Sequence, residues 1–210
     1  MARAKTSQQG DPVSLDPAHR AGAGALLARA FHTDALYETV VPDGARRAAL
    51  LGWLFDKVVH YTLLYGCALT TAEKEGVACW LPPGGTDISL GRVLRSGLYA
   101  TPLKMGWAAY RRFDSYQRLS GRLHHAHAQM PHWYLWAIGV DPPSQGLGLG
   151  SRLLESMLCR ADAERAACYL ETGSERGVRI YERHGFVVVY EGKVPALDVP
   201  IWAMRREGRP

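Results

Sequence analysis

The chain has 210 residues, 47% of them hydrophobic and six of them tryptophan, enough to bury one sizeable core. No window holds the roughly 20 consecutive apolar residues that a membrane-spanning helix needs, and MARAKTSQQGD at residues 1–11 lacks the apolar run of a secretory leader. The formal net charge of +5 is local, because residues 91–128 hold seven Lys/Arg against one acid; no nucleic-acid-binding module signature accompanies it, so no nucleic-acid partner is expected.

In chain order the first expected element is a short strand at 12–15. Asp16 followed by Pro17 then reads as a cap and a first helical position, opening a helix to about residue 31. Pro42-Asp43 opens a second helix through Leu51, Leu54 and Val58. GCALTTAEKEGVACWLPPGG reads as two strands around a Glu75-Gly76 turn, closed by Pro82-Pro83. A long helical, aromatic-rich stretch is expected over 87–129, and HWYLWAIGV at 132–140 is a strand whose near-continuous apolar run implies burial on both faces. After a glycine loop, Leu149, Leu153, Leu154, Met157, Leu158 and Ala161 line one face of a helix. CYLET at 168–172 is a strand, 174–184 a helix stopped at Gly185, and FVVVYEG and DVPIWAMR the final strands. Helices interleaved with a mixed sheet give an α/β (α+β) fold. Residues 1–11 are expected to be a disordered tail and 12–210 one domain, with 12–130 (including a helical cover at 87–129) and 131–207 as its halves. Cys67, Cys79, Cys159 and Cys168 each stand among apolar residues with no CxxC spacing, which reads as buried free thiols in a reducing, cytoplasmic compartment.

The segment IGVDPPSQGLGLGSRLLESML carries the chemistry. A strand that ends in a glycine-rich turn and feeds a helix presents unpaired backbone N–H groups and the positive end of the helix dipole, which suits phosphate. Gly146, Gly148 and Gly150 are not spaced as a dinucleotide G-x-G-x-x-G, and no Gly-Lys-Ser/Thr follows, so neither a Rossmann nor a Walker loop is supported.

Gln145-Gly146-Leu147-Gly148-Leu149-Gly150 matches the Q/R-x-x-G-x-G/A signature of the GNAT superfamily of N-acetyltransferases, which the sequence resembles. YLETGSERGVRIYERHGF looks like the second cofactor segment of that family, and from about residue 132 to 204 the chain is most similar to the puromycin N-acetyltransferase-like branch. The resemblance implies a mixed, mostly antiparallel sheet with splayed middle strands, helices on both faces, and acetyl-CoA as co-substrate. It assigns Ile138, Gly139 and Val140 to the pantetheine arm and Gln145, Gly146, Leu147, Gly148, Leu149, Gly150 and Ser151 to the pyrophosphate. It also makes Tyr181 the acid that protonates the leaving thiolate, with a backbone N–H near Val140 facing the developing oxyanion. Two positions depart from the pattern: Gly177 stands where the family usually has asparagine, and Leu147 where many members carry a cation, which leaves Arg152 as a candidate to assist.

Glu171 and His132 are candidate general bases, each with a structural role as the competing reading. His124, His125 and His127 have no carboxylate or cysteine at ligand spacing, so no metal is expected. The aromatic stretch holding Trp107 and Tyr110 is the candidate acceptor pocket, and its basic excess disfavours polycationic acceptors. The resulting expectation is acetyl transfer to a primary amine of a small, apolar or aromatic molecule by direct attack in a ternary complex, on a monomer or homodimer with no membrane partner. A protein or peptide N-acetyltransferase and a non-catalytic acyl-CoA-binding module are the alternatives.

Overall fold

Seven strands form one sheet in the computed structural model, which describes residues 10–209: β1 (Val13–Ser14), β2 (Cys67–Thr70), β3 (Gly76–Leu81), β4 (His132–Val140), β5 (Ala167–Thr172), β6 (Val187–Val194) and β7 (Val199–Arg206). Most of the tail expected at 1–11 therefore lies outside the described residues. The strand order is β1-β2-β3-β4-β5-β7-β6, and every neighbouring pair is antiparallel except β4 with β5.

That parallel pair sits at the centre and is incomplete. It runs from His132 opposite Ala167 to Leu135 opposite Leu170 and stops, although β4 continues to Val140. The cause lies one residue on. Against β3, Cys79 faces Ala137 but Trp80 faces Leu135, so Trp136 is an extra residue in β4. A bulge of this kind bends its strand and sends two consecutive side chains to one face. Trp136 and Ala137 accordingly both pack on the side of Tyr134, whereas Trp133, Leu135 and Ile138 pack on the other.

The sheet separates two apolar clusters. One joins β4 Trp133 and Leu135 to α7 (Leu149–Ala163), whose Leu149, Leu153, Leu154, Met157, Leu158 and Ala161 are buried in the expected stripe. The other takes α1 (Arg20–Ala30), α3 (Gly44–Tyr65) and α6 (Trp107–His127). Arg20–Ala30 and Gly44–Tyr65 correspond to the first two expected helices, the second capped by Asp43 Oδ1, which accepts from Arg46 N at 2.6 Å. Glu175–Arg183, α8, follows β5.

Several elements differ from the sequence reading. A six-residue helix, α2 (Ala35–Val40), was not anticipated; Asp34 caps it by accepting from Leu36 N at 3.0 Å. The β2–β3 connection is a loop of five residues, 71–75, with Gly76 already in the strand. The single stretch expected over 87–129 is broken into α4 (Leu90–Ser96), α5 (Thr101–Met105) and α6, at Gly97 (φ +84) and Gly106 (φ +72), conformations that side chains other than glycine rarely adopt. Cys159 is exposed on α7 and Cys67 half-buried, so the reading of four buried thiols holds only for Cys79 and Cys168. No described helix is long and apolar enough to cross a membrane.

A Cβ at Gly139 would lie 2.9 Å from Ala30 Cβ and 2.9 Å from Leu27 Cδ2, so α1 rests on β4 because that position is bare. Gly139→Val is expected to lower folding stability by about 1–3 kcal/mol through overpacking, read as an earlier urea midpoint. An unchanged midpoint would mean that α1 is not seated there.

Candidate active site

The loop between β4 and α7 is held from three sides. The Arg29 guanidinium, on α1, donates to both carboxylate oxygens of Asp141 at 2.8 and 2.6 Å and keeps that carboxyl below the usual range. Ser144 Oγ donates to Glu75 Oε1 at 2.6 Å, and Gln145 Nε2 reaches back to Val140 O at 3.1 Å. Within this frame Gly146 (φ +83) and Gly148 (φ +78) take left-handed conformations with open space where a Cβ would stand. Gly148 is also the N-cap of α7 and supplies no capping side chain, so the first amides of the helix are left for a ligand.

These amides open onto a cleft of about 710 Å³ that Ile138, Gly139, Val140, Gln145, Gly146, Gly148, Leu149, Gly150 and Ser151 line on one side and Ser174, Gly177 and Tyr181 on the other. Its floor is the stretch of β4 beyond Leu135, which has no β5 partner. An unpaired strand edge leading to a bare, positively polarised turn fits a long ligand with amide groups at one end and phosphates at the other, as acetyl-CoA has. Leu147 is 59% exposed and stands outside the cleft wall. Arg152 donates to Gly10 O at 2.7 Å, whereas Arg176 and Arg183, on α8, are the cations that border the cleft. Any side chain at Gly177 would have to displace Thr172, whose Oγ1 lies 2.5 Å from the position of its Cβ.

At its inner end the cleft meets a chamber of about 220 Å³ bordered by Asp34, Tyr37, Tyr116, Glu171 and Tyr181. Glu171 is the end residue but one of β5, where β4 has already turned away. Its Oε2 accepts from the Tyr134 hydroxyl at 2.8 Å, while Oε1 is buried without a hydrogen-bond partner. Burial pushes the carboxyl up to about 7, with the Tyr134 hydroxyl working against the rise. Burial likewise pushes the Tyr181 phenol up to about 12 and raises Asp34, the latter offset by the amide it caps. Tyr181 is therefore a protonated donor at neutral pH, and Glu171 is poised to change charge there.

Beyond the chamber lies an aromatic cavity of about 390 Å³ with Phe55, Tyr110, Phe113, Tyr116 and Trp136 in its walls. Tyr110, a candidate acceptor residue from the sequence, is in its wall. Trp107 is not: it is 70% exposed and borders a separate recess beside Arg46 and Arg112. The electrostatic expectation also changes sign. Among the described residues no Lys or Arg lines the chamber or the cavity, whereas Asp34, Asp114 and Glu171 do, so the basic excess of residues 91–128 faces elsewhere and carries no argument against a cationic acceptor.

His132 is set apart from this space. It is buried at the start of β4, its Nδ1 2.7 Å from Met130 O and its Nε2 2.7 Å from His124 Nε2. Since a carbonyl only accepts, His132 is protonated at Nδ1 when neutral, and His124 then donates through Nε2. The pair ties the end of α6 to the sheet, and burial lowers both imidazoles, His124 to about 4. No group of three metal-ligating side chains occurs among the described residues.

Asp34, Arg176 and Arg183 in the cleft, and Trp136 in the chamber and aromatic cavity, are residues that sequence reasoning missed. The signal for Asp34 was its place as a cap before Ala35-Leu36; Trp136 had none, because a bulge is a property of pairing.

Comparison with known proteins bears on the fold. A family model described as an acetyltransferase (GNAT) domain matches residues 105–188. An uncharacterised N-acetyltransferase of Schizosaccharomyces pombe is 27% identical over 79% of this chain and 69% of its own length. Among solved structures, one described as histone acetyltransferase HPA2 and related acetyltransferase from Corynebacterium glutamicum superposes with a TM-score of 0.67, covering 97% of this chain and 99% of that one at 22% identity. Arylalkylamine N-acetyltransferase 2 from Aedes aegypti superposes with a TM-score of 0.61 over 93% of this chain and 97% of its own at 15% identity. Residues 105–188 match the acetyltransferase (GNAT) domain model, and the chain shares the fold of these acetyltransferases. It is an N-acetyltransferase enzyme.

Because the folded-state pKa of Glu171 is raised from 4.5 to about 7, its contribution to stability is fully present below pH 4.5 and is lost as pH rises through about 7. Glu171→Gln should therefore gain stability relative to the wild type between pH 5 and 8, measured as the difference in urea midpoint. A difference that does not vary with pH would return Glu171 to an ordinary carboxylate.

Proposed function

We infer that the protein transfers an acetyl group from acetyl-CoA to the primary amine of a small, apolar or aromatic molecule, by direct attack in a ternary complex, using one domain spanning residues 12–210. Acetyl-CoA supplies the thioester that the amine attacks. Ile138, Gly139 and Val140 hold its arm, and the amides of residues 145–151 hold its phosphates, with Arg176 and Arg183 as the nearby cations. Glu171 takes the proton of the amine, Tyr181 offers one to the departing sulfur, and a backbone N–H near Val140 faces the developing oxyanion. Asp34 adds a second carboxylate to the chamber, which favours arrival of the acceptor as an ammonium ion.

The observation that carries the reading is continuity of the three spaces. Ile138, Ser174 and Tyr181 are common to the glycine-loop cleft and the chamber, while Tyr37, Phe55 and Trp136 are common to the chamber and the aromatic cavity. A cofactor laid along the first therefore ends where an acceptor seated in the last begins. The structural neighbours include enzymes whose names give arylalkylamines and agmatine as substrates, which supports an amine of that size. The likeness to the puromycin N-acetyltransferase-like branch enters on the two sequence motifs alone.

Tyr181→Phe removes the hydroxyl and keeps the ring that packs on Phe186 at 5.8 Å. It should lower kcat about 10²-fold with the Kd for acetyl-CoA nearly unchanged, measured by steady-state thiol release and titration calorimetry. A rate near that of the wild type would make Tyr181 a packing residue only.

A further inference from the structure

The helical cover has an outer surface that the transfer reaction does not use. Six of the exposed large hydrophobic side chains among the described residues fall within residues 88–107, among them Leu90 (74%), Leu94 (53%), Leu103 (85%) and Trp107 (70%). Leu90 and Leu94 are one turn apart on α4, and Leu103 and Trp107 flank the break at Gly106. Residues 88–113 contain five cations and no acid. Arg92 is engaged with Gly85 O at 2.9 Å and lies over the Tyr65 ring, but Arg95, Lys104, Arg111 and Arg112 are exposed and alternate with the exposed apolar residues along the chain.

Protruding leucines and a tryptophan interleaved with cations that make no ion pair among the described residues match an anionic lipid interface, where apolar tips enter the headgroup layer and cations meet lipid phosphates. Two other occupants fit less well. A second copy meeting this face across a two-fold axis would set the same cations against each other. Nucleic acid would satisfy the cations and leave a leucine of 85% exposure with nothing to contact.

We propose that residues 88–112 form a docking surface for an anionic lipid bilayer, on which the protein lies without inserting a helix. This departs from the expectation, drawn from the lack of a spanning segment, that the chain has no membrane partner. Ile88, Tyr99 and Pro102 of the same stretch also line the aromatic cavity, so the rim of that cavity lies at the docking face. Amphiphilic amines concentrated in the headgroup layer would enter from there, a consequence that rests on the acceptor assignment; the docking itself does not.

The test is co-sedimentation of the full chain with vesicles of phosphatidylcholine alone and of phosphatidylcholine with about 30% phosphatidylserine, at low and high salt. The wild type should sediment with the anionic vesicles only, with partitioning reduced about tenfold or more at high salt as the charges are screened. Lys104→Glu/Arg111→Glu/Arg112→Glu and Leu90→Ser/Leu103→Ser should each abolish the association while leaving Tm and thiol release from soluble acceptors unchanged, since all these side chains face solvent. Absence of wild-type binding at low salt would overturn the proposal. So would binding that survives the double serine variant, which would be charge adsorption alone. A dimer in light scattering that the serine variant dissolves would assign the face to a second copy instead.

Discussion

The site depends on a failure of strand pairing at one place. A parallel pair that continued past Leu135 and Leu170 would satisfy its own backbone groups and close the centre of the sheet. The extra residue at Trp136 bends β4 away, and the separation leaves a strand edge with unused hydrogen-bonding groups and a gap between two buried strands. Everything chemical is arranged around that gap. The glycine loop ends its one wall, Glu171 stands on the other, and Trp136 fills out the far side as part of the aromatic cavity.

Desolvation does the electrostatic work inside the gap. Burial is the leading cause of the raised values at both Glu171 and Tyr181, and it acts in opposite functional senses. The carboxyl moves into the range where it exchanges protons near neutrality, while the phenol is kept protonated. The surface cations of the cover take no part in this, because none of them reaches the chamber or the cavity. The protein therefore carries two separate charge patterns, an acidic lining in the chamber and cavity and a basic exterior on the 88–112 stretch.

Much of the cofactor half was legible in the sequence. Three glycines at alternate positions mark a bare turn because little else requires them, and the leucine stripe of α7 follows from helical period alone. What escaped depends on partners remote in sequence. A short helix such as α2 has too few residues for periodicity, so the carboxylate that caps it and borders the chamber went unnoticed. The sequence reading ran one helical stretch through Gly97 and Gly106, because the left-handed conformation that divides the cover is fixed by packing. For His132 the sequence left a base and a structural role as competing readings, and only the placement of Met130 and His124 separates them. The net charge of a segment gave no direction, and direction decided the electrostatics of the pocket.

The most direct test of the account is acetyl-CoA-dependent release of free thiol with a panel of small amines, comparing arylalkylamines with aliphatic amines and with peptides bearing free N-termini. The account predicts turnover with amines that carry an apolar or aromatic body, at a rate that rises with pH through about 7 as Glu171 ionises and that loses this dependence in Glu171→Gln. Thiol release with peptides alone, or with no amine in the panel, would contradict it.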